Sequence, residues 1–185
     1  QKVIQEIYDG VTTKELDVLS SQVAISMYSK HPDYAKLASR IVVSNHHKNT
    51  LDTFSDKTHL LYTCEKPLLN KDFHDFVMVN RVLIDAKVDY DKDYMFDYFG
   101  LKTLEKSYLY RIKDEIIERP QDMIMRVCLS IHRGDIDRAF DSYDYMSELY
   151  FTHATPTLFN AGSNREQFAS CFLLSMKEDS IDGIY

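Results

Sequence analysis

Two places in the 185-residue sequence combine side chains that could do chemistry, and the first surrounds Cys171. The stretch SCFLLSM puts this thiol in an apolar run, and Asp179 and Ser180 follow within nine residues. A thiolate can act as a nucleophile or give up electrons by forming a disulfide. Where a strand leads into a helix, free backbone N–H groups attract phosphate, and Asp179 could accept a hydrogen bond from a sugar hydroxyl. The alternatives are a buried core cysteine and a helix-capping aspartate, which are both common.

The second place lies on two predicted helices near the start of the chain. Thr13 and Asp17 are four residues apart and share one helix face, while His46, His47 and Lys48 end the next helix. A polar cluster of this kind between two helices could bind a nucleotide, although a solvated helix surface would carry the same residues. Adjacent helical side chains point in different directions, so the two histidines form a poor metal pair and we expect no metal site.

Helix-start signals predict a mainly α fold for the first 150 residues. The predicted starts combine capping residues, early prolines and acidic first turns, at Thr12 with Glu15, Pro32 with Asp33, Asn70, Pro120 and Asp135. Apolar residues at helical spacing predict the buried faces of the first two helices, namely Leu16, Leu19, Val23 and Met27, and then Tyr34, Leu37 and Ile41, with Val42 as a further candidate.

The connecting and terminal segments have different patterns. Residues 50–70 mix Thr, Asp, His and Lys with little periodicity and predict a connector. Residues 152–164, which include HATPTLFNAGSN, predict a turn-rich loop. The run QFASCFLLSM at 167–176 has the length of a buried strand, and Asp179 with Ser180 is placed to cap a helix. We therefore expect an α/β unit to begin near residue 151.

Composition and charge exclude several classes of function. The formal net charge is −7, whereas a general nucleic-acid-binding surface needs clustered Lys and Arg. Cys64, Cys128 and Cys171 are too few and too far apart for a disulfide framework or a zinc knuckle, and we expect the first two to serve packing. No signal peptide and no apolar run of membrane-spanning length is present, which favours a reducing, cytoplasmic setting. The chain begins without Met, and we expect a fragment.

Several long strings resemble one family in the same order. FTHATPTLFNAG, SCFLLSM and DSIDGIY, together with YDGVTTKELD, KHPDYAKLASRI, DYFGLKTLEKSYL and ERPQDMIMRV, are similar to the large catalytic subunit of class I ribonucleotide reductases of the eukaryotic type. The resemblance covers essentially the whole chain and implies an N-terminal fragment. It implies a partial ATP-cone activity-site domain at 1–52, a helical domain at 53–150, and at 151–185 the first strand and helix of a ten-stranded catalytic α/β barrel.

The resemblance also implies roles for individual residues. Cys171 is expected to be redox-active and to form a disulfide with a later cysteine outside these residues. Further roles are expected for Thr155 and Ser170 in substrate binding, for Asp179, Ser180 and Ile181 in an allosteric specificity site, and for Thr13, Asp17 and Lys48 in an allosteric activity site. The implied effectors are ATP and dATP or other deoxynucleoside triphosphates. Two departures from the family are the missing opening β-hairpin and Leu51-Asp52, where the family often has a basic residue.

The implied function is the reduction of ribonucleoside diphosphates to 2′-deoxyribonucleoside diphosphates by thiyl-radical chemistry, for DNA precursor synthesis. Expected partners are a small subunit with a di-iron radical cofactor, further copies of the large subunit in a homodimer or higher oligomer, and thioredoxin or glutaredoxin as reductant. We expect no direct nucleic-acid or membrane partner, and no reduction by the fragment alone. The alternatives are a non-catalytic nucleotide-sensing regulatory module and a structural helical adaptor. The tail at 151–185 favours the enzyme, because neither alternative has a use for it.

Overall fold

A computed structural model describes residues 2–185, with side chains from Val3 onward, and it is mainly helical. The helices are α1 Lys2–Glu6, α2 Thr13–Ser26, α3 Asp33–Lys48, α4 Phe54–Thr63, α5 Lys71–Lys87, a 3₁₀ helix Tyr90–Met95, α6 Tyr98–Ser107, α7 Pro120–Ile131, α8 Ile136–Ser147, α9 Thr155–Asn160 and α10 Ile181–Ile184. An antiparallel hairpin of β1 Arg111–Ile112 and β2 Glu115–Ile116 joins α6 to α7. In this part of the chain, no helix combines the length and apolar character needed to cross a membrane.

The predicted helix starts at Thr12, Asn70 and Asp135 are confirmed by capping contacts, whereas Pro32 precedes the first residue of α3 and makes no side-chain capping bond. Thr12 and Glu15 form a reciprocal capping box at the start of α2, which satisfies two backbone N–H groups that the helix leaves free. The side chain of Asn70 accepts a hydrogen bond from the Phe73 N–H at the start of α5, and Asp135 caps α8 in the same way. Local sequence therefore fixes where these helices begin.

The predicted buried face of α3 is confirmed only at Val42, which is 4% exposed. The buried residues of the helix are Ala38, Ser39, Val42, Val43 and His46. By contrast, the Leu37 side chain is 49% exposed. The helix is turned this way because Val42 and Val43 pack against Leu101 of α6. An open groove of about 530 Å³ is lined by Val3, by Val23 and Met27 of α2, and by Tyr34, Leu37 and Ile41 of α3.

Two segments predicted as irregular contain helices. Residues 54–63 form α4, which begins where the Thr53 side chain accepts a hydrogen bond from the Asp56 N–H. Residues 155–160 form the short helix α9 within the predicted turn-rich loop. Both helices were missed because they bury polar residues beside apolar ones, so their sequences show little apolar periodicity.

The strand predicted around Cys171 is also wrong. Residues 171–176 have neither helix nor strand and are exposed throughout, and the Leu173 side chain is completely exposed. A strand needs a neighbour to accept and donate its backbone hydrogen bonds, and within residues 2–185 the only paired strands are β1 and β2. The predicted cap at Ser180 is confirmed, since its side chain accepts from the Gly183 N–H of α10.

The core lies between α4, α5, α7 and α8, with α7 at its centre. All residues from Pro120 to Ser130 are buried, so α7 is enclosed on every side. Leu158 and Ala161, at the end of α9, belong to the same buried cluster. The central helix therefore provides the rigid support for the segment that carries Thr155.

Candidate functional sites

The structure brings two residues of the predicted activity site together. Lys48 Nζ at the end of α3 lies 2.8 Å from Asp17 Oδ2 on α2. Thr13 is exposed at the first residue of α2, one helical turn before Asp17. The Lys48 side chain remains 61% exposed. A surface pair of this kind adds little to stability, so its charges remain available to a ligand.

The neighbouring histidines are occupied by contacts within the protein. The His46 ring lies between the Glu105 carboxylate, at 3.1 Å, and the backbone carbonyl of Glu118, at 3.0 Å. His47 Nε2 lies 2.7 Å from Asp93 Oδ2, and Asp93 is completely buried. Burial raises the pKa of the Asp93 carboxyl, although His47 opposes this effect. These histidines fasten α3 to the helical core.

The segment that contains Thr155 is held by a buried arginine. Arg126 of α7 donates hydrogen bonds to the carbonyls of Leu158, at 3.2 Å, and Ala161, at 2.8 Å. These are carbonyls that the end of a helix leaves without partners. The guanidinium is in turn paired with Glu118, with Nε–Oε1 at 2.5 Å and Nη2–Oε2 at 3.0 Å. Arg126 and Glu118 thus fix the end of α9 from inside the core.

Gly162 closes this turn at a position where a side chain would be crowded and its backbone strained. Its φ is +75°, and an added Cβ would lie 3.3 Å from Arg126 Cγ and from the ring of Phe73. Its N–H donates to Ser130 Oγ, at 3.0 Å, and to Glu166 Oε1, at 2.9 Å. The turn after α9 is therefore packed tightly onto α7.

The tail that carries Ser170 and Cys171 starts beside α9. Thr157 Oγ1 donates to the Phe168 carbonyl at 3.2 Å, and Asn160 Nδ2 donates to the Gln167 carbonyl at 2.9 Å. Both Ser170 and Cys171 are exposed, and the Ser170 hydroxyl lies 3.8 Å from the Cys171 sulfur. The predicted substrate-binding and redox residues thus lie on adjoining segments.

The three cysteines have different surroundings. Cys128 is 1% exposed and contacts the Met146 sulfur at 3.6 Å, and burial raises the pKa of its thiol to about 12. Cys64 is half-buried, with its sulfur 3.1 Å from the Lys66 carbonyl. Cys171 alone among the three is exposed. A thiol with the accessibility that redox chemistry needs is therefore found at position 171.

The predicted specificity-site residues lie at the beginning of α10. Ser180 Oγ accepts from the Gly183 N–H at 3.1 Å, whereas Asp179 and Ile181 are exposed. The structure therefore gives Ser180 a capping role and leaves the side chains of Asp179 and Ile181 on the surface.

Comparison with known proteins identifies the region around these contacts. Residues 94–166 match the family model described as ribonucleotide reductase, all-alpha domain. This part of the chain is a ribonucleotide reductase all-alpha domain. The matched region runs across residue 151, and the predicted boundaries at 52 and 150 stay predictions.

Relatives of the whole chain are ribonucleoside-diphosphate reductase large subunits. The chain is 50% identical over 191 residues to the large subunit of Danio rerio and 48% identical over 192 residues to that of Arabidopsis thaliana. It is also 50% identical over 192 residues to the large chain of Schizosaccharomyces pombe. Each alignment covers 100% of this chain and 24% of the relative, so the chain spans about a quarter of the length of these proteins.

The all-alpha domain and the helices before it share a buried polar network that sequence reasoning missed. Lys57 of α4 lies 2.6 Å from Asp122 Oδ2, and the Tyr90 hydroxyl donates to Asp122 Oδ1 at 2.5 Å. Burial lowers the pKa of Lys57, although Asp122 opposes this effect, and burial raises the pKa of Tyr90. The one sequence signal is that Lys57 lies between Phe54 and Leu61 at helical spacing, on the buried face of α4.

Proposed function

We propose that this chain acts as part of the large subunit of a ribonucleoside-diphosphate reductase. The assembled enzyme would reduce ribonucleoside diphosphates to 2′-deoxyribonucleoside diphosphates by thiyl-radical chemistry, for DNA precursor synthesis. The observation that carries the proposal is an identity of about 50% over the whole chain to large subunits from an animal, a plant and a fungus. The proposed setting is the cytoplasm.

The proposed electron donor is the thiol of Cys171. Together with a second cysteine outside these residues, it would form a disulfide and release two electrons and two protons. The ribose 2′-hydroxyl would leave as water and a hydrogen would take its place. Thioredoxin or glutaredoxin would then reduce the disulfide. The exposure of Cys171, beside a segment held firmly by α7, supports this role.

The proposed substrate contacts are Thr155 and Ser170, whose hydroxyls could bond the nucleoside diphosphate. Asp179, Ser180 and Ile181 are proposed for the specificity site, which binds deoxynucleoside triphosphates or ATP. Thr13, Asp17 and Lys48 are proposed for the activity site, which binds ATP or dATP. The exposed ammonium of Lys48, 2.8 Å from Asp17, supports phosphate binding there.

The proposed partners complete the reaction. A small subunit would supply the radical from its di-iron cofactor, and further copies of the large subunit would form a homodimer or a higher oligomer. The 185 residues alone are expected to reduce no ribonucleotide.

Replacing Cys171 tests this function directly. In the full-length large subunit, assembled with its small subunit, Cys171→Ser should abolish multiple-turnover reduction driven by a dithiol, because serine cannot form the disulfide. The matched control, Cys64→Ser, should leave turnover near the wild-type value. The measurement is the rate of deoxyribonucleoside diphosphate formation. Undiminished turnover by Cys171→Ser would overturn the assignment.

A further inference from the structure

One tyrosine covers the exposed face of the short helix α9. The ring of Tyr108 packs against Phe159, with centroids 4.9 Å apart. Its hydroxyl lies 3.1 Å from Thr155 Oγ1. Thr155 and Phe159 are four residues apart, so they occupy the same helix face one turn from each other. Tyr108 thus contacts both ends of this face.

Tyr108 is itself held in place by the helix before it. It is the C-cap residue of α6, and its N–H donates to the Leu104 carbonyl. Two residues later, the Tyr110 hydroxyl donates to the Phe159 carbonyl at 2.5 Å. The short segment after α6 therefore presents two tyrosines to α9, one to a side chain and one to the backbone.

Contacts with other parts of the chain, rather than its own sequence, determine the position of α9. A helix of six residues is too short to be stable in isolation. Arg126 fixes its buried end through two carbonyls, and Gly162 packs the following turn onto α7. Neither contact touches the hydroxyl of Thr155 at the opposite end. The contact with that hydroxyl is made by Tyr108.

We infer that Tyr108 is a positioning residue that orients the Thr155 hydroxyl toward the substrate. This inference rests on the proposed function, in which Thr155 contacts the nucleoside diphosphate. Phosphate oxygens accept hydrogen bonds, so Thr155 must donate its single proton to bind one. When the Tyr108 hydroxyl donates to Thr155 Oγ1, that proton is left free for the substrate. The bond also polarises the threonine hydroxyl and strengthens its donation.

The test removes the tyrosine hydroxyl and keeps its ring. Tyr108→Phe in the full-length enzyme should raise KM for the nucleoside diphosphate about three- to tenfold, the range expected for one lost hydrogen bond. The kcat and the thermal unfolding midpoint should stay near their wild-type values, because the packing on Phe159 remains. The matched control is Tyr145→Phe, at an exposed tyrosine on α8, which should leave KM unchanged.

A double-mutant cycle with Thr155→Val shows whether Tyr108 acts through this threonine. Valine keeps the shape of the side chain and removes its hydroxyl, so Tyr108→Phe should raise KM no further in the Thr155→Val background. An unchanged KM for Tyr108→Phe would overturn the inference. So would an equal increase in both backgrounds, or no effect of Thr155→Val on KM.

These outcomes are distinguishable from a failure of the proposed function. In each of these three outcomes, the wild type would still reduce its substrate and Cys171→Ser would still lose turnover. If the proposed function itself were wrong, the assembled wild-type enzyme would show no dithiol-driven reduction, or Cys171→Ser would show no loss.

Discussion

The central helix α7 and the segment 171–180 each contain a cysteine but differ in burial and in secondary structure. In α7, all residues from 120 to 130 are buried, and Cys128 is 1% exposed. From 171 to 180, all residues are exposed. Burial raises the pKa of the Cys128 thiol to about 12, which keeps it protonated and inert at neutral pH. The contrast shows that surroundings, rather than residue type, decide whether a cysteine is buried or accessible to solvent.

The polar residues of the two regions differ in the same way. In α7, Arg126 is paired with Glu118, and Asp122 is paired with Lys57, with each of these side chains at most 2% exposed. In the tail, Lys177 and Asp179 are exposed to solvent. A buried charge persists only where a partner replaces the lost water, whereas an exposed charge needs none. The tolerance of the two regions to substitution should therefore differ sharply.

The largest expected effect comes from breaking the buried pair in α7. Arg126→Met leaves the Glu118 carboxylate buried without its cation and also frees the carbonyls of Leu158 and Ala161. The free energy of unfolding should fall by about 3–5 kcal/mol. Urea denaturation of this chain, followed by circular dichroism, measures the change.

Two controls separate the buried charge from other effects. Adding Glu118→Gln to Arg126→Met should recover part of the loss, because the uncompensated carboxylate is removed. Arg138→Met breaks an exposed pair with Asp135 and should cost less than about 1 kcal/mol. A similar loss for Arg126→Met and Arg138→Met would contradict the distinction between buried and exposed pairs.

A smaller effect concerns the Cys128 thiol at alkaline pH. Burial raises its pKa to about 12 in the folded state from an ordinary value of 9.0, so the folded state holds the proton more tightly. The resulting stabilisation is fully present below the unfolded pKa and is lost as the pH rises toward the folded pKa. Between these values the thiol should reduce the free energy of unfolding by about 1.4 kcal/mol per pH unit.

Buried tyrosines such as Tyr90 and Tyr143 titrate in the same direction as the Cys128 thiol. The contribution of the thiol is therefore measured as the difference between wild type and Cys128→Ala. Urea denaturation between pH 8 and 11 should show a shallower decline for Cys128→Ala than for wild type. Cys171→Ser, at an exposed position, should follow the wild-type curve. Parallel curves for Cys128→Ala and wild type would mean that the buried thiol is not linked to folding.

The smallest effect is expected in the tail. The Leu173 side chain is completely exposed and buries no apolar surface within these residues. Leu173→Ser should therefore change the free energy of unfolding of this chain by less than about 0.5 kcal/mol. A matched change in the core, Leu129→Ser, should destabilise strongly, because Leu129 is 2% exposed. Cooperative loss of stability in Leu173→Ser would show that the tail packs on the domain in solution.

The sequence predicted features that depend on near neighbours along the chain. Thr12, Asn70, Asp135 and Ser180 cap helices because their side chains bond an N–H three residues further on, as expected from local spacing. The sequence did not predict α4 or the exposure of Leu37 on α3. Both depend on contacts with distant helices, and α4 buries Lys57 through its pairing with Asp122.

For the candidate sites, the sequence selected Asp17 and Lys48, and the fold brings them to 2.8 Å. The proximity of Tyr108 to Thr155, which are 47 residues apart, follows no local pattern. The role of Arg126 could not be predicted from the sequence either, because none of its neighbours along the chain indicates a buried ion pair with Glu118. These contacts connect α9 to helices that precede it by many residues.

The sequence by itself therefore determined the mainly helical class, the capped helix starts and the family. Helix caps and apolar spacing act within one or two turns, and long family strings can be read without coordinates. Only the tertiary structure decided which of the three cysteines is buried, which face α3 turns inward and which residues support Thr155. These features depend on the exclusion of water by helices distant in sequence, and a linear pattern does not contain that information.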